Sequence, residues 1–131
     1  MSESRNVTIV QDIYAAFGRG DVAGIVERLA PDVIWRVHVD AIVPYGGAYD
    51  GRPNVPKFFD ALGSAVETQA FEPQEFVAQG DTVVSLGRYV CKGRKSGKVS
   101  DGRWVFVWKF REGRVVSYEQ YHTPGITDLF R

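Results

Sequence analysis

Tyr118, Gln120 and His122 stand at two-residue steps near the end of the chain. On a β-strand that spacing puts all three side chains on one face. An imidazole titrates near neutrality, so His122 is the group here best suited to give a proton to, or take one from, a small ligand. Gln120 beside it can donate and accept hydrogen bonds but cannot carry a proton at neutral pH. His122 reads equally as a strand-end residue bonded to its neighbours and doing no chemistry, because the sequence forces no carboxylate next to it. Trp104, Phe106 and Trp108 form a second trio with the same spacing on the preceding strand.

Whether the trios face each other's side depends on Glu112-Gly113, which joins their strands. A two-residue turn pairs Arg111 with Arg114 and sets the trios on opposite faces. A three-residue loop with Gly113 left-handed pairs Phe110 with Arg114 and unites them.

Other aromatic residues extend the candidate site. Tyr14, Trp35, Trp104 and Trp108 would line a pocket for a flat, apolar ligand, or would equally fill a core. Tyr45 and Tyr49, in the glycine- and proline-rich stretch 43–53, are candidates for a lid. The Gly46 to Gly51 spacing lacks a following Lys-Ser/Thr and is no phosphate loop. Lys92, Arg94, Lys95, Lys98 and Arg103 read as the solvated tip of a hairpin. His38 shares a strand face with Arg36 and Asp40, a solvated or dimer face.

The elements that position these residues follow from periodicity. Val7, Val10, Ile13, Tyr14 and Phe17 mark one helix, with Asn6 as its cap and Gly18 and Gly20 as its stop. Asp21 caps a second helix that carries Val22, Ile25, Val26 and Leu29 and ends at Pro31-Asp32. Residues 33–40 alternate as a half-buried strand, with Trp35, Val37 and Val39 on its inner side. Asn54 caps a third helix bearing Val55, Phe58, Phe59, Leu62 and Val66. Strands are predicted at 72–79, 82–92, 103–111 and 114–122, with a tight turn at Gly80-Asp81 and a polar loop over 93–102.

Composition bounds the function. The 131 residues suit one domain, 1–131, with 44% apolar and 13% aromatic content. Sixteen basic and sixteen acidic residues cancel, which removes the field expected of a nucleic-acid binder. Cys91 is alone and no Cys/His cluster exists, so neither disulfide, metal nor cofactor is expected. No apolar run approaches the ~18 residues of a membrane span, and the N-terminus lacks a signal-peptide layout. The expected location is cytoplasmic.

The order helix, helix, strand, helix, then antiparallel strands resembles the nuclear-transport-factor-2-like superfamily, SnoaL-like cyclases and ketosteroid isomerases included. The matching wording is Tyr14-Ala-Ala-Phe17 with Gly20-Asp21, then Pro31-Asp32-Val33-Ile34-Trp35. Gly47-Ala-Tyr49-Asp-Gly51-Arg52 leads into Phe58-Phe59, and Glu112-Gly113-Arg114-Val115-Val116 precedes Glu119-Gln120-Tyr121. The resemblance implies an α+β fold: a cone-shaped, strongly curved, mainly antiparallel sheet against three helices. It also implies a small apolar or polycyclic ligand in the cone and a homodimer through the sheet's outer face.

Carried over residue by residue, the steroid isomerases' tyrosine, base and oxyanion positions fall on Ile13, near Val37 and near Phe106, all apolar. Classical steroid isomerisation is therefore not expected. The cyclases' acidic positions read Gln120 and Thr123. The resemblance also selects the three-residue loop at Gly113, because the trios then occupy pocket-lining positions. The expected site is His122 with Gln120 for chemistry, and Tyr14, Trp35, Tyr49, Trp104, Phe106, Trp108 and Tyr118 around the ligand. A SnoaL-like enzyme using His122, a non-catalytic binding module and a protein-interaction module are the functions in play.

Overall fold

The computed structural model describes residues 2–131. The first helix, α1, runs over Glu3–Gly18 and presents Val10, Ile13 and Ala16 to the core. Its cap is Ser2, whose Oγ accepts from the Arg5 amide at 3.1 Å. Asn6, the expected cap, lies inside the first turns and is buried. A competent cap one turn upstream captures the helix start. Asp21 caps α2 (Val22–Val26) as expected, accepting from Gly24 N at 2.9 Å.

The second helix is shorter than its apolar spacing implied. Leu29 opens strand β1 (Leu29–His38) and pairs with Val115, so sheet pairing takes a residue that periodicity gave to the helix. Pro31 is tolerated because the register shifts between Leu29 and Ile34. The short β2 (Gly47–Ala48) pairs back onto β1. A 3-10 turn at Arg52–Asn54 then leads into α3 (Val55–Ala65). Asn54 stands at the cap position, but its amide donates to Asp50 O at 2.8 Å rather than capping α3.

Four long strands follow: β3 (Val66–Gln79), β4 (Thr82–Gly93), β5 (Val99–Arg111) and β6 (Arg114–His122). β3 and β5 start six and four residues earlier than predicted, at Val66 against 72 and Val99 against 103. Polar residues such as Glu67, Thr68 and Ser100 pair along β4 there, and ladder hydrogen bonds need no apolar alternation. A 3-10 stretch, Pro124–Phe130, ends the chain and buries Ile126 and Leu129.

The strand order is β2-β1-β6-β5-β4-β3, with every pair antiparallel except β1 and β6. This open, curved, mainly antiparallel sheet packs one face against the helices, as the α+β expectation required. Val33, Trp35 and Val37 point inward from β1, and Val83, Ser85 and Tyr89 from β4. Among the described residues, no helix is long and apolar enough to cross a membrane.

The turn joining β5 to β6 corrects the expected loop. Arg111 pairs with Arg114 across a two-residue turn, with Glu112 at φ 52° and Gly113 at φ 79°. That turn alone would have put the trios on opposite faces. A bulge at Val116 undoes the flip: Phe110 pairs with Val115, but Lys109 pairs with Ser117. Beyond it Trp108 faces Tyr118, Phe106 faces Gln120 and Trp104 faces His122. The trios share a face through the bulge, not through a longer loop.

Candidate functional site

The inner face of the sheet and the helices enclose a hollow of about 80 Å³. One water needs roughly 10–15 Å³ on the same measure, so the space admits several water-sized groups. All three tryptophans of the chain, Trp35, Trp104 and Trp108, line it. Trp104 stacks on Phe71 and Phe106 with ring centroids 4.9 and 4.1 Å apart, which builds one wall. Trp35 stacks on Tyr118 at 4.0 Å and builds another. The rings occupy much of the cone without closing it.

Tyr49 does not line the hollow. It stands edge-on to Phe58 at 5.6 Å, on the periphery, and Tyr45 lines the cavity instead. Tyr45 is buried against Phe58 and Phe130, in the wall and not in an exposed lid. His38 lies outside, bonded to Glu119 Oε1 at 3.0 Å and stacked on Tyr121.

Tyr118, Gln120 and His122 form a hydrogen-bonded row along β6. The Tyr118 hydroxyl donates to Gln120 Oε1, and Gln120 Nε2 lies 3.0 Å from His122 Nε2. With its oxygen occupied by Tyr118, Gln120 offers an N–H to the imidazole. His122 Nε2 therefore accepts, and the ring proton sits on Nδ1. His122 Nδ1 is buried and without a partner. Burial, which disfavours the charged imidazolium, pulls the His122 pKa down from 6.5 to about 4.

Trp35 Nε1 is the second buried donor on the wall without a partner. The other two indoles are satisfied: Trp104 donates to Arg88 O at 3.1 Å and Trp108 to Tyr14 Oη at 2.9 Å. Tyr14 Oη also bonds the buried Ser85 Oγ. Burial raises the pKa of Tyr14, Tyr45, Tyr118 and Cys91, so each is neutral near pH 7. Among the described residues no Asp, Glu, Lys or Arg lines the hollow. The site is an uncharged, ring-walled space, and two of its lining residues carry an unpaired buried donor.

The sequence pattern of the SnoaL-like domain matches residues 10–118, most of this fold and its cavity wall. The chain belongs to the SnoaL-like family. An NTF2-like protein from Burkholderia xenovorans is 30% identical with a TM-score of 0.90, covering 100% of this chain and 99% of that one. An uncharacterized protein of Mycobacterium tuberculosis is 26% identical over 136 residues, covering 99% of this chain and 98% of its own length. TerC, co-crystallised with polyporic acid, is 23% identical with a TM-score of 0.83, covering 96% of this chain and 97% of that one; the likeness is one of fold.

In this SnoaL-like chain Ile13, Val37 and Phe106 are buried and apolar. Among the described residues no three His, Cys, Asp or Glu side chains gather as a metal site requires. Sequence reasoning missed Trp35 Nε1 and His122 Nδ1 as a pair, because an unpaired donor is a property of packing and has no signature in residue order.

Proposed function

We propose that the cone binds a neutral, flat, largely apolar molecule and holds it by hydrogen bonds from Trp35 Nε1 and His122 Nδ1. The observation that carries this reading is a pair of partnerless buried donors on two residues that line the apolar cavity. An unsatisfied buried donor costs about 1–3 kcal/mol, and a ligand oxygen placed against it recovers that cost. Rings on every side supply the dispersion and apolar burial such a ligand needs. TerC, which is similar in fold, was co-crystallised with an organic molecule, polyporic acid, and this supports a small-molecule reading of the fold.

His122 serves in this reading as a neutral donor and not as a base. An acid–base catalyst works best with a pKa near the operating pH, whereas this imidazole is held at about 4. Its one lone pair is already engaged by Gln120. A cyclase or isomerase step also needs a proton acceptor near the substrate, and among the described residues no carboxylate lines the hollow.

Calorimetric titration with naphthalene and with 2-acetylnaphthalene tests the reading. The ketone binds about fivefold or more tighter than the hydrocarbon, from one added hydrogen bond of about 1 kcal/mol. Both probes are recovered unchanged. Absence of binding by both, or conversion of the ketone, would overturn it.

The outer face of the sheet supports a partnership of two copies. Val84 pairs with Val107 and Leu86 with Val105, and all four point away from the core beside exposed Tyr121. An apolar patch of this kind is covered in a homodimer. Light scattering reads twice the chain mass for the wild type and a monomer for Val107→Lys; a wild-type monomer would remove the proposal.

A further inference from the structure

A second hollow, of about 240 Å³, lies beside the first where α2, α3 and the start of β3 meet. Phe17, Ile25, Phe59, Leu62 and Thr68 line both spaces. Those five side chains are the partition between them, and four of them, Phe17, Ile25, Phe59 and Leu62, are rings or branched chains on helices. The two spaces differ in charge. The inner wall has no ionised group, whereas Arg94 and Asp21 stand on the outer one.

Arg94 is fixed in place. Its Nε donates to Gly63 O at 2.7 Å and its backbone N–H to Ala65 O at 3.0 Å. Among the described residues it has no carboxylate within ion-pair distance, so both terminal nitrogens of the guanidinium remain available. Asp21 is already engaged: Oδ1 accepts from Gly24 N at 2.9 Å, and Oδ2 lies 3.6 Å from Arg19. The rim thus keeps one uncompensated positive charge with a fork that matches a carboxylate.

We propose that the outer hollow is the way into the cone and that the ligand is amphipathic, its carboxylate held by Arg94 at the rim and its apolar body passing Phe17, Phe59 and Leu62 into the cavity. This rests on the ligand-binding reading above and adds the mouth, the anchor and the head group. An ionised carboxylate cannot enter the inner hollow, where no countercharge offsets its lost hydration. The same group at the exposed rim keeps its water and gains an ion pair. A basic residue in an apparent hairpin tip thereby acquires a use that its sequence context did not disclose.

The test uses 4-(2-naphthyl)-4-oxobutanoate and its methyl ester, which share one apolar body and differ in the head group. The acid binds about two- to fivefold tighter than the ester, the range of an exposed ion pair, and the gain shrinks in high salt. Arg94→Gln abolishes the difference without weakening the ester. A second variant probes the route: a side chain at Gly63 meets open space, so Gly63→Phe blocks the mouth without disturbing the core. It slows association of both probes by on the order of tenfold, because the only ring added stands in the path. Equal affinity of acid and ester in the wild type, or unchanged association in Gly63→Phe, overturns this inference and leaves the cavity reading intact. Failure of both probes to bind overturns the two together.

Discussion

Gln120 Nε2 lies 3.0 Å from His122 Nε2, and that contact fixes which imidazole nitrogen is left unpaired. Tyr118 sets Gln120, Gln120 sets the tautomer of His122, and the Nδ1–H is left buried and unpaired. The row turns a titratable residue into a fixed dipole.

The first prediction concerns pH. The His122 pKa is near 6.5 in the unfolded chain and about 4 in the native state. The unfolded chain therefore binds more protons between those values, and stability falls as pH drops from 6.5 towards 4. Two to three pKa units correspond to about 3 kcal/mol. Urea unfolding of wild type and His122→Phe across pH 4–8 should show that slope in the wild type alone. Parallel curves would refute the burial of a neutral imidazole.

Ligand discrimination gives the second. Trp35→Phe removes one free donor without stranding a partner, whereas His122→Phe removes one free donor and also leaves the Gln120 amide N–H unbonded. Each variant should lose about 1 kcal/mol of affinity for 2-acetylnaphthalene while binding naphthalene within a factor of two. Equal losses for the two probes would mean that shape, not hydrogen bonding, holds the ligand.

Tyr14→Phe is the contrasting case. Its hydroxyl accepts from Trp108 Nε1 and bonds Ser85 Oγ, and both groups are buried. The substitution strands them, at about 1–3 kcal/mol for the pair's loss. Thermal unfolding reads it as a fall of several degrees, where Trp35→Phe loses only packing.

Backbone space supplies a fourth. A Cβ on Gly87 would overlap the Trp104 ring and the Glu72 carbonyl, so the indole lies in the gap that glycine leaves. Gly87→Ala should destabilise by about 1–3 kcal/mol, from overpacking against groups that cannot retreat. A variant as stable as wild type would show that the β3–β4 edge can open.

The turn at Glu112-Gly113 supplies the fifth. Glu112 holds φ 52°, a left-handed conformation that asparagine adopts more readily. Glu112→Asn should stabilise by up to about 1 kcal/mol, visible as a raised unfolding midpoint with unchanged ligand affinity. A lowered midpoint would show that Glu112 contributes more by contact than it costs by strain.

Much of this architecture was legible because apolar spacing carries it. The alternation at Trp35 and Val37, the helix face of Val10 and Ile13, and the Gly80-Asp81 turn all stand where periodicity put them. The misreadings share one cause, pairing that residue type does not announce. Leu29 joins a strand because Val115 lies opposite, and Val66–Phe71 extends β3 because β4 reaches that far. Val116 is the instructive case. A glutamate is a poor signal for a primed turn, so the two-residue alternative was passed over, and an extra valine looks like any strand residue. The rejected turn and the unread bulge cancelled, and the facing of His122 and Trp104 came out as expected for a reason the residue order did not display. The unpaired nitrogens were beyond reach altogether, since only packing decides what stays alone.

The placement of every tryptophan on the cavity wall has a practical consequence. With no indole elsewhere in the chain, its indole emission, excited apart from that of tyrosine, arises wholly from the lining of the hollow. Occupancy can then be followed in unlabelled protein as a change in intensity or colour, and each indole in turn can be silenced to learn which side of the guest it touches.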